Sequence, residues 1–178
     1  SQAEHGADSQ SMLLTTDRTL AEKVADETER LLADLPRQDL IRRSLSHSRI
    51  IVLANEDEIM DFANEYAPEH LIINHKEANR LAERVENAGS VFLGAYACES
   101  AGDYASGTNH TLPTSGYAHA YSGVNLDSFM KKITFQTLSE EGIANLGPVI
   151  ETLAENEELM AHKLAATVRM NAIKEKKL

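Results

Sequence analysis

The sequence predicts an α/β fold: a partial, open parallel sheet, an incomplete Rossmann-like arrangement, followed by a C-terminal helical extension. Three observations support this fold class. Short apolar runs alternate with segments of helical periodicity over residues 10–94. The run at 50–53 is apolar at every position, as a parallel strand covered on both faces requires. The connections are short, which favours right-handed crossovers in one sheet.

The predicted elements follow in order along the chain. Strands are expected at 10–15, 49–54, 70–74 and 89–94. Helices are expected at 17–35, 38–46, 55–66 and 75–87, with Thr16 or Asp17 as the first N-cap and Pro36 as the first stop. A long loop at 95–126 precedes a strand at 129–138, a helix capped by Ser139 that runs to about residue 154, and a helix at 157–176. We expect residues 1–123 to form the α/β portion with the metal and catalytic residues, and residues 124–178 to form the helical extension.

Composition limits the classes of partner. The 178 residues carry a formal net charge of −11, which repels nucleic-acid phosphates and anionic membrane surfaces. No apolar run is long enough to span a bilayer. Cys98 is the only cysteine, so no internal disulfide forms, and we expect a reducing, cytoplasmic setting. The chain opens without Met, which indicates a piece of a longer protein or a fragment expressed alone.

Gln2 and His5 form the first polar pair with potential chemistry. Their spacing of three places both side chains on one face of a helical turn, where an amide oxygen and an imidazole can reach one cation. Two-ligand patterns also occur often by chance, and for this pair taken alone a polar chain terminus is the favoured interpretation.

Glu69 and His70 form the second pair. Pro68 fixes its own φ and disfavours the helical region for Ala67, so we expect a sharp turn before the strand. Adjacent residues at a strand entrance point to opposite sides and can take different roles. A histidine with an ordinary pKa can act as a general base near neutral pH. The alternative is an acid at a strand edge beside a half-buried histidine.

The third polar concentration is the loop at 99–110, which contains Asp103 and His110. Carboxylate and imidazole suit Zn²⁺ or a similar divalent ion, so this loop predicts a site more strongly than a plain surface loop. His162, by contrast, lies away from the apolar stripe of Met160, Leu164 and Val168 and by pattern alone is a surface histidine. No G-x-G-x-x-G motif is present, so the usual dinucleotide fingerprint is absent.

Taken together, five ordered motifs resemble the histidinol dehydrogenase family. They are SQAEHG at 1–6, APEHL at 67–71, GSVFLG at 89–94, ESAGDYASGTNH at 99–110 and AHK at 161–163. The twelve-residue motif is highly specific, and the set covers the whole chain in order.

The resemblance implies a ligand set and catalytic roles. It implies a zinc ion held by Gln2, His5, Asp103 and His162, the last contributed by the second subunit of a homodimer with a shared active site. Zinc then anchors the substrate, histidinol, while two successive hydride transfers to NAD give the aldehyde and then histidine. The residue that matches His70 is the general base, and the one that matches Glu69 activates water for the second step. The residues implied to contact the substrate match His110, Glu157, Asp103 and His162.

The family enzyme is more than twice as long as this chain. The resemblance therefore implies that much of the NAD site lies elsewhere, that the NAD-binding residues are not identifiable here, and that this chain alone is inactive. Two alternatives stay open: a non-catalytic fragment of the same fold that binds a metal or a partner, and a metal-dependent hydrolase in which Glu69, His70 and zinc activate water. NAD binding separates the dehydrogenase from the hydrolase.

Overall fold

The structure, a computed structural model, describes residues 1–176 and has a mixed α/β fold, which confirms the predicted fold class. Its strands are β1 (Met12–Thr15), β2 (Arg49–Val52), β3 (His70–Ile73) and β4 (Ser90–Leu93). Its α-helices are α1 (Arg18–Leu32), α2 (Gln38–His47), α3 (Glu56–Tyr66), α4 (Ala78–Ala82), α5 (Glu99–Tyr104), α6 (Glu140–Asn156) and α7 (Met160–Lys176). Short 3-10 helices lie at Gln2–Glu4, Tyr117–His119 and Leu126–Phe129.

The chain separates into two compact units, Ser1–Met130 and Lys131–Leu178. A compact unit is not necessarily a domain that folds by itself. The predicted domain boundary between residues 123 and 124 therefore stays a prediction.

All four strands pair in parallel, as predicted, but they form two separate pairs. β1 pairs with β2, and β3 pairs with β4. Ile50 and Ile72 are 42% and 50% exposed although they belong to strands. Since a two-stranded pair is only marginally stable by itself, each pair depends on the helices packed against it.

Beside the β1–β2 pair, a buried serine on α2 forms a hydrogen bond with the segment that precedes β1. Ser44 on α2 is completely buried, and its hydroxyl donates a hydrogen bond of 2.9 Å to the carbonyl of Ser9. Asp17 caps α1 by accepting from the backbone N–H groups of Thr19 and Leu20, which confirms one of the two predicted caps. The segment before β1 is thereby held against α2.

The β3–β4 pair packs against a cluster of buried apolar side chains. Met60, Ile73, Ala78 and Leu81 form the buried cluster, with Leu71 and Val85 packed against it. On the rim of this core, Arg80 donates to Glu56 at 2.6 Å, and this hydrogen bond lowers the pKa of the Glu56 carboxyl. Helices α3 and α4 therefore cover the face of the pair to which Leu71 and Ile73 point.

The expected turn at Pro68 is present and ends α3. Ala67 adopts a left-handed conformation with φ of 49° and is 1% exposed, and its N–H donates to the carbonyl of Ala63. Left-handed backbone is unfavourable for alanine by about 1–2 kcal/mol, so buried packing must hold this residue in place. The turn delivers Glu69 and His70 to the start of β3.

Three local predictions were wrong. The strand at 129–138 does not form: residues 130–139 are irregular, and Ile133 and Phe135 are 70% and 91% exposed. Alternating polarity cannot make a strand without a neighbouring strand to supply hydrogen bonds. The loop at 95–126 contains α5, and the helix predicted at 75–87 is regular only over the five residues of α4.

The second unit contains the helical hairpin of α6 and α7, as the predicted extension requires. Ser139 caps α6 by accepting from the N–H of Gly142 at 3.0 Å. The helices approach closely at Gly147, where an added Cβ would overlap the sulfur of Met170. Ala166 and Ile173 are buried on α7, whereas the apolar stripe of Met160, Leu164 and Val168 is at least half exposed. Within residues 1–176, no helix has the length and apolarity that crossing a membrane requires.

Candidate metal centre

A 3-10 helix at the start of the chain positions Gln2 and His5. The N–H of His5 donates to the carbonyl of Gln2 at 3.2 Å, and residues three apart in such a helix lie on the same face. The Oε1 atom of Gln2 is buried and has no hydrogen-bond partner among residues 1–176. The side chain of His5 is half exposed. An unsatisfied amide oxygen beside an imidazole fits a cation ligand pair.

Helix α5 contributes two carboxylates. Asp103 and Glu99 are four residues apart, so they lie on one face of the helix. The side chain of Asp103 is 12% exposed and that of Glu99 is 7% exposed. Sequence reasoning gave Glu99 no role because it treated the segment as a loop. The spacing of four would have identified Glu99 if the helix had been predicted.

His5, Glu99 and Asp103 converge on one point. One ligand atom from each lies within 4.8 Å of the ligand atoms of the other two. Within this set, Nε2 of His5 lies 3.9 Å from Oε1 of Glu99. Imidazole and carboxylate donors at such separations can close around a divalent cation with small side-chain rotations. The residues present in the first unit therefore fit a metal ion.

His70 borders this cluster. Its Nε2 atom lies 3.8 Å from Oδ1 of Asp103, is buried, and has no hydrogen-bond partner in the described part of the chain. The ring also packs against Phe92 of β4, with 5.9 Å between the ring centroids. A buried imidazole nitrogen without a partner can accept a proton from a ligand that enters the site.

Two glycines permit the close packing around His70. A Cβ on Gly102 of α5 would lie 2.6 Å from the ring of Phe92, and a Cβ on Gly89 would lie 2.6 Å from the carbonyl of Glu69. Helix α5 therefore packs directly against the ring of Phe92, which also contacts His70. Because α5 also carries Asp103, this packing sets the separation of the histidine and the carboxylate.

Glu69 precedes His70 at the entrance of β3. Its carbonyl accepts from the N–H of Ser90 at 2.9 Å, and its side chain is partly buried. In the register, His70 is opposite Ser90, so both strands begin at this place. Adjacent positions on an extended chain send Glu69 and His70 to different sides of the backbone.

Three other predicted site residues, His110, Glu157 and His162, do not belong to this cluster. His110 belongs to the first unit and is exposed. Glu157, at the end of α6, and His162, on α7, are exposed residues of the second unit. Their proximity to substrate or metal stays a prediction.

The fold and the cluster define an α/β protein with a candidate divalent-metal centre built from a chain segment, a short helix and a strand entrance. The model of the histidinol dehydrogenase family matches residues 1–170. The chain belongs to the histidinol dehydrogenase family.

Individual relatives agree with the family match. The chain is 57% identical over 174 residues to a histidinol dehydrogenase of Bacteroides thetaiotaomicron, covering 98% of this chain and 41% of that relative. It is 52% identical over 175 residues to a histidinol dehydrogenase of Escherichia coli O6:H1, covering 98% and 40%. A crystal structure of histidinol dehydrogenase from Elizabethkingia anophelis superposes with a TM-score of 0.89 at 53% identity, covering 97% and 40%. The chain thus spans about two fifths of the length of these relatives.

Proposed function

We propose that this chain supplies the metal-binding and catalytic residues of a histidinol dehydrogenase, which oxidises histidinol to histidine with NAD in histidine biosynthesis. The observation that carries the proposal is the buried approach of His70 Nε2 to Asp103 Oδ1, at 3.8 Å, beside the donors of His5 and Glu99. A base next to a cation site is what oxidation of a metal-anchored alcohol needs.

The proposed metal is zinc, held by Gln2, His5 and Asp103, with His162 supplied by the second subunit of a homodimer. The orphaned Oε1 of Gln2 and the donors of His5 and Asp103 support this set. Zinc, when bound, anchors the substrate, and NAD accepts the hydride in each oxidation. The exposure of His162 on α7 is compatible with a ligand that faces another subunit.

The proton steps are assigned to the chain's own side chains. Nε2 of His70 takes the proton of the substrate hydroxyl as the alcohol becomes the aldehyde, because this nitrogen has no competing hydrogen bond from the described residues. Glu69 then activates the water that hydrates the aldehyde before the second oxidation. His110 and Glu157 contact the substrate, as do the metal ligands Asp103 and His162.

The setting and the partners follow from the same proposal. The enzyme acts on a small molecule in the cytoplasm and uses neither nucleic acid nor a membrane as a partner. The net charge of −11 supports the exclusion of polyanions. Family membership favours the dehydrogenase over a metal-dependent hydrolase, because hydrolysis needs no nicotinamide.

The test uses the full-length family enzyme that carries this sequence. Histidinol and NAD should give NADH and histidine, and Asp103→Asn should remove this activity because the metal loses a ligand. Asp26→Asn, an exposed change on α1 with the same loss of charge, should leave it intact. Removal of metal by a chelator should abolish turnover, and added zinc should restore it. Full activity of Asp103→Asn, or NAD-independent hydrolysis as the only reaction, would contradict the proposal.

A further inference from the structure

The side chain of Asn64 joins α3 to the connection between α4 and β4. Its Oδ1 atom accepts from the N–H of Glu86 at 2.8 Å and from that of Asn87 at 3.4 Å. Its Nδ2 atom donates to the carbonyl of Arg84 at 2.9 Å. In return, Nδ2 of Asn87 donates to the backbone carbonyl of Asn64 at 3.1 Å. Both asparagines are partly buried, so these bonds hold the connection against α3.

The two segments that Asn64 joins meet again directly before His70. One leaves α3 and passes through Pro68 and Glu69 into β3, and the other passes through Gly89 into β4. The N–H of Gly89 donates to the carbonyl of Pro68 at 2.9 Å. Gly89 also lies so close to the carbonyl of Glu69 that a Cβ would not fit between them. A shift of residues 84–89 would therefore press on the backbone that carries the histidine.

We propose that Asn64 is a positioning residue that fixes the direction of the His70 imidazole for proton transfer. This rests on the proposed role of His70 as the base. The Nε2 atom of His70 has no hydrogen-bond partner among residues 1–176, so no hydrogen bond of its own fixes its direction. The ring instead depends on the backbone of β3 and on packing against Phe92 of β4. Asn64 holds the common entrance of both strands, and proton transfer requires close alignment of the base.

The experiment uses the full-length family enzyme that carries this sequence and compares two asparagine variants of α3. Asn64→Ala removes the bonds to residues 84, 86 and 87. Asn55→Ala removes the N-cap at the other end of the helix, where Asn55 accepts from the N–H of Glu58 at 2.9 Å. Both should lower the urea midpoint. Only Asn64→Ala should lower kcat, by roughly 10–100-fold, because a small displacement of a reacting group has that effect. KM for histidinol and zinc content should change little, because the metal holds the substrate.

A conservative variant separates positioning from stability. Asn64→Asp keeps an acceptor for the N–H groups of Glu86 and Asn87 and should recover most of the lost kcat. Equal kcat in Asn64→Ala and Asn55→Ala, or no recovery in Asn64→Asp, would overturn the proposal. If Asn64→Ala does not fold, Asn87→Ala takes its place, since it loses only the side-chain bond to the Asn64 carbonyl. It should lower kcat in the same direction by a smaller factor, and an unchanged kcat would count against the proposal.

A readout without turnover keeps this inference distinct from the proposed function. In the enzyme labelled with ¹⁵N-histidine, the imidazole signal of His70 is identified by its loss in His70→Asn. It should shift in Asn64→Ala and stay in place in Asn55→Ala. If the unmodified enzyme does not oxidise histidinol but this shift is present, the proposed function fails and the structural role of Asn64 stands. An unshifted signal would overturn that role even in an active enzyme.

Discussion

At the scale of the residue, the separate surroundings of Glu69 and His70 predict separable defects. In the full-length enzyme, His70→Asn should lower kcat by roughly 10²–10⁴-fold, the usual range for loss of a general base. KM for histidinol should change little because the metal holds the substrate. Steady-state kinetics with histidinol and with the aldehyde measure both steps.

Glu69→Gln should instead slow oxidation of the aldehyde more than oxidation of the alcohol, because only the second step consumes water. Equal losses in both half-reactions would show that Glu69 shapes the site without activating water. A metal assay distinguishes both variants from ligand loss, since neither should lower zinc occupancy.

The sequence identified most of the residues that the first unit brings together. His5, Asp103 and His70 were all candidates, because their residue types and motifs carry the chemistry by themselves. Glu99 was missed because α5 was not predicted, so its spacing of four from Asp103 was not seen. Its contact with the hydroxyl of Ser1, 98 residues away in sequence, has no local pattern.

At the scale of the element, the contact of α5 with β4 predicts a sensitive glycine. Gly102→Ala would place a Cβ 2.6 Å from the ring of Phe92, which is 7% exposed and cannot swing into solvent. Overpacking of this kind costs about 1–3 kcal/mol, so urea unfolding should show a lower midpoint. Displacement of α5 should also weaken Zn²⁺ binding, because Asp103 moves with the helix.

A matched change in α6 should cost less. A Cβ on Gly142 would meet Oγ of Ser139 at 3.3 Å and Cδ2 of Leu138 at 3.6 Å, so the Ser139 cap must shift slightly, and the higher helix propensity of alanine, about 1 kcal/mol, offsets that cost. This variant should unfold close to the urea midpoint of the unmodified chain and bind zinc normally. Unchanged stability and metal affinity in Gly102→Ala would show that α5 does not rest on Phe92 as described.

Helices and strands were predicted correctly where the periodicity of apolar residues agreed with the capping and turn residues. The strands β1 to β4 and the helices α1 to α3 were predicted within a few residues, because apolar periodicity, the Asp17 cap and Pro68 all indicated the same limits. It failed at 129–138, where polar and apolar residues alternate but no neighbouring strand lies within the described residues to pair with them. The division of the strands into two pairs depends on contacts between elements, which sequence periodicity does not encode.

At the scale of the whole molecule, the chain's length predicts binding without turnover. The pure 178-residue chain should bind Zn²⁺ but should not oxidise histidinol with NAD, since it spans about 40% of its relatives. Zinc at about 100 times its Kd should stabilise the chain by about 2.7 kcal/mol, and Asp103→Asn should lose most of that gain. Thermal unfolding with and without zinc measures the difference. Histidinol oxidation by the pure chain would contradict the expectation that the cofactor site lies elsewhere.

The unequal exposure of the three donors gives the cluster an outer and an inner side. His5 is half exposed, whereas the side chains of Glu99 and Asp103 are 7% and 12% exposed. On the outer side the cluster thus presents an imidazole, and on the inner side two carboxylates. Imidazole favours zinc and other transition metals, while carboxylates also accept magnesium and calcium. The imidazole of His5 is therefore the donor of this cluster that solvent reaches most readily, while the two carboxylates lie deeper.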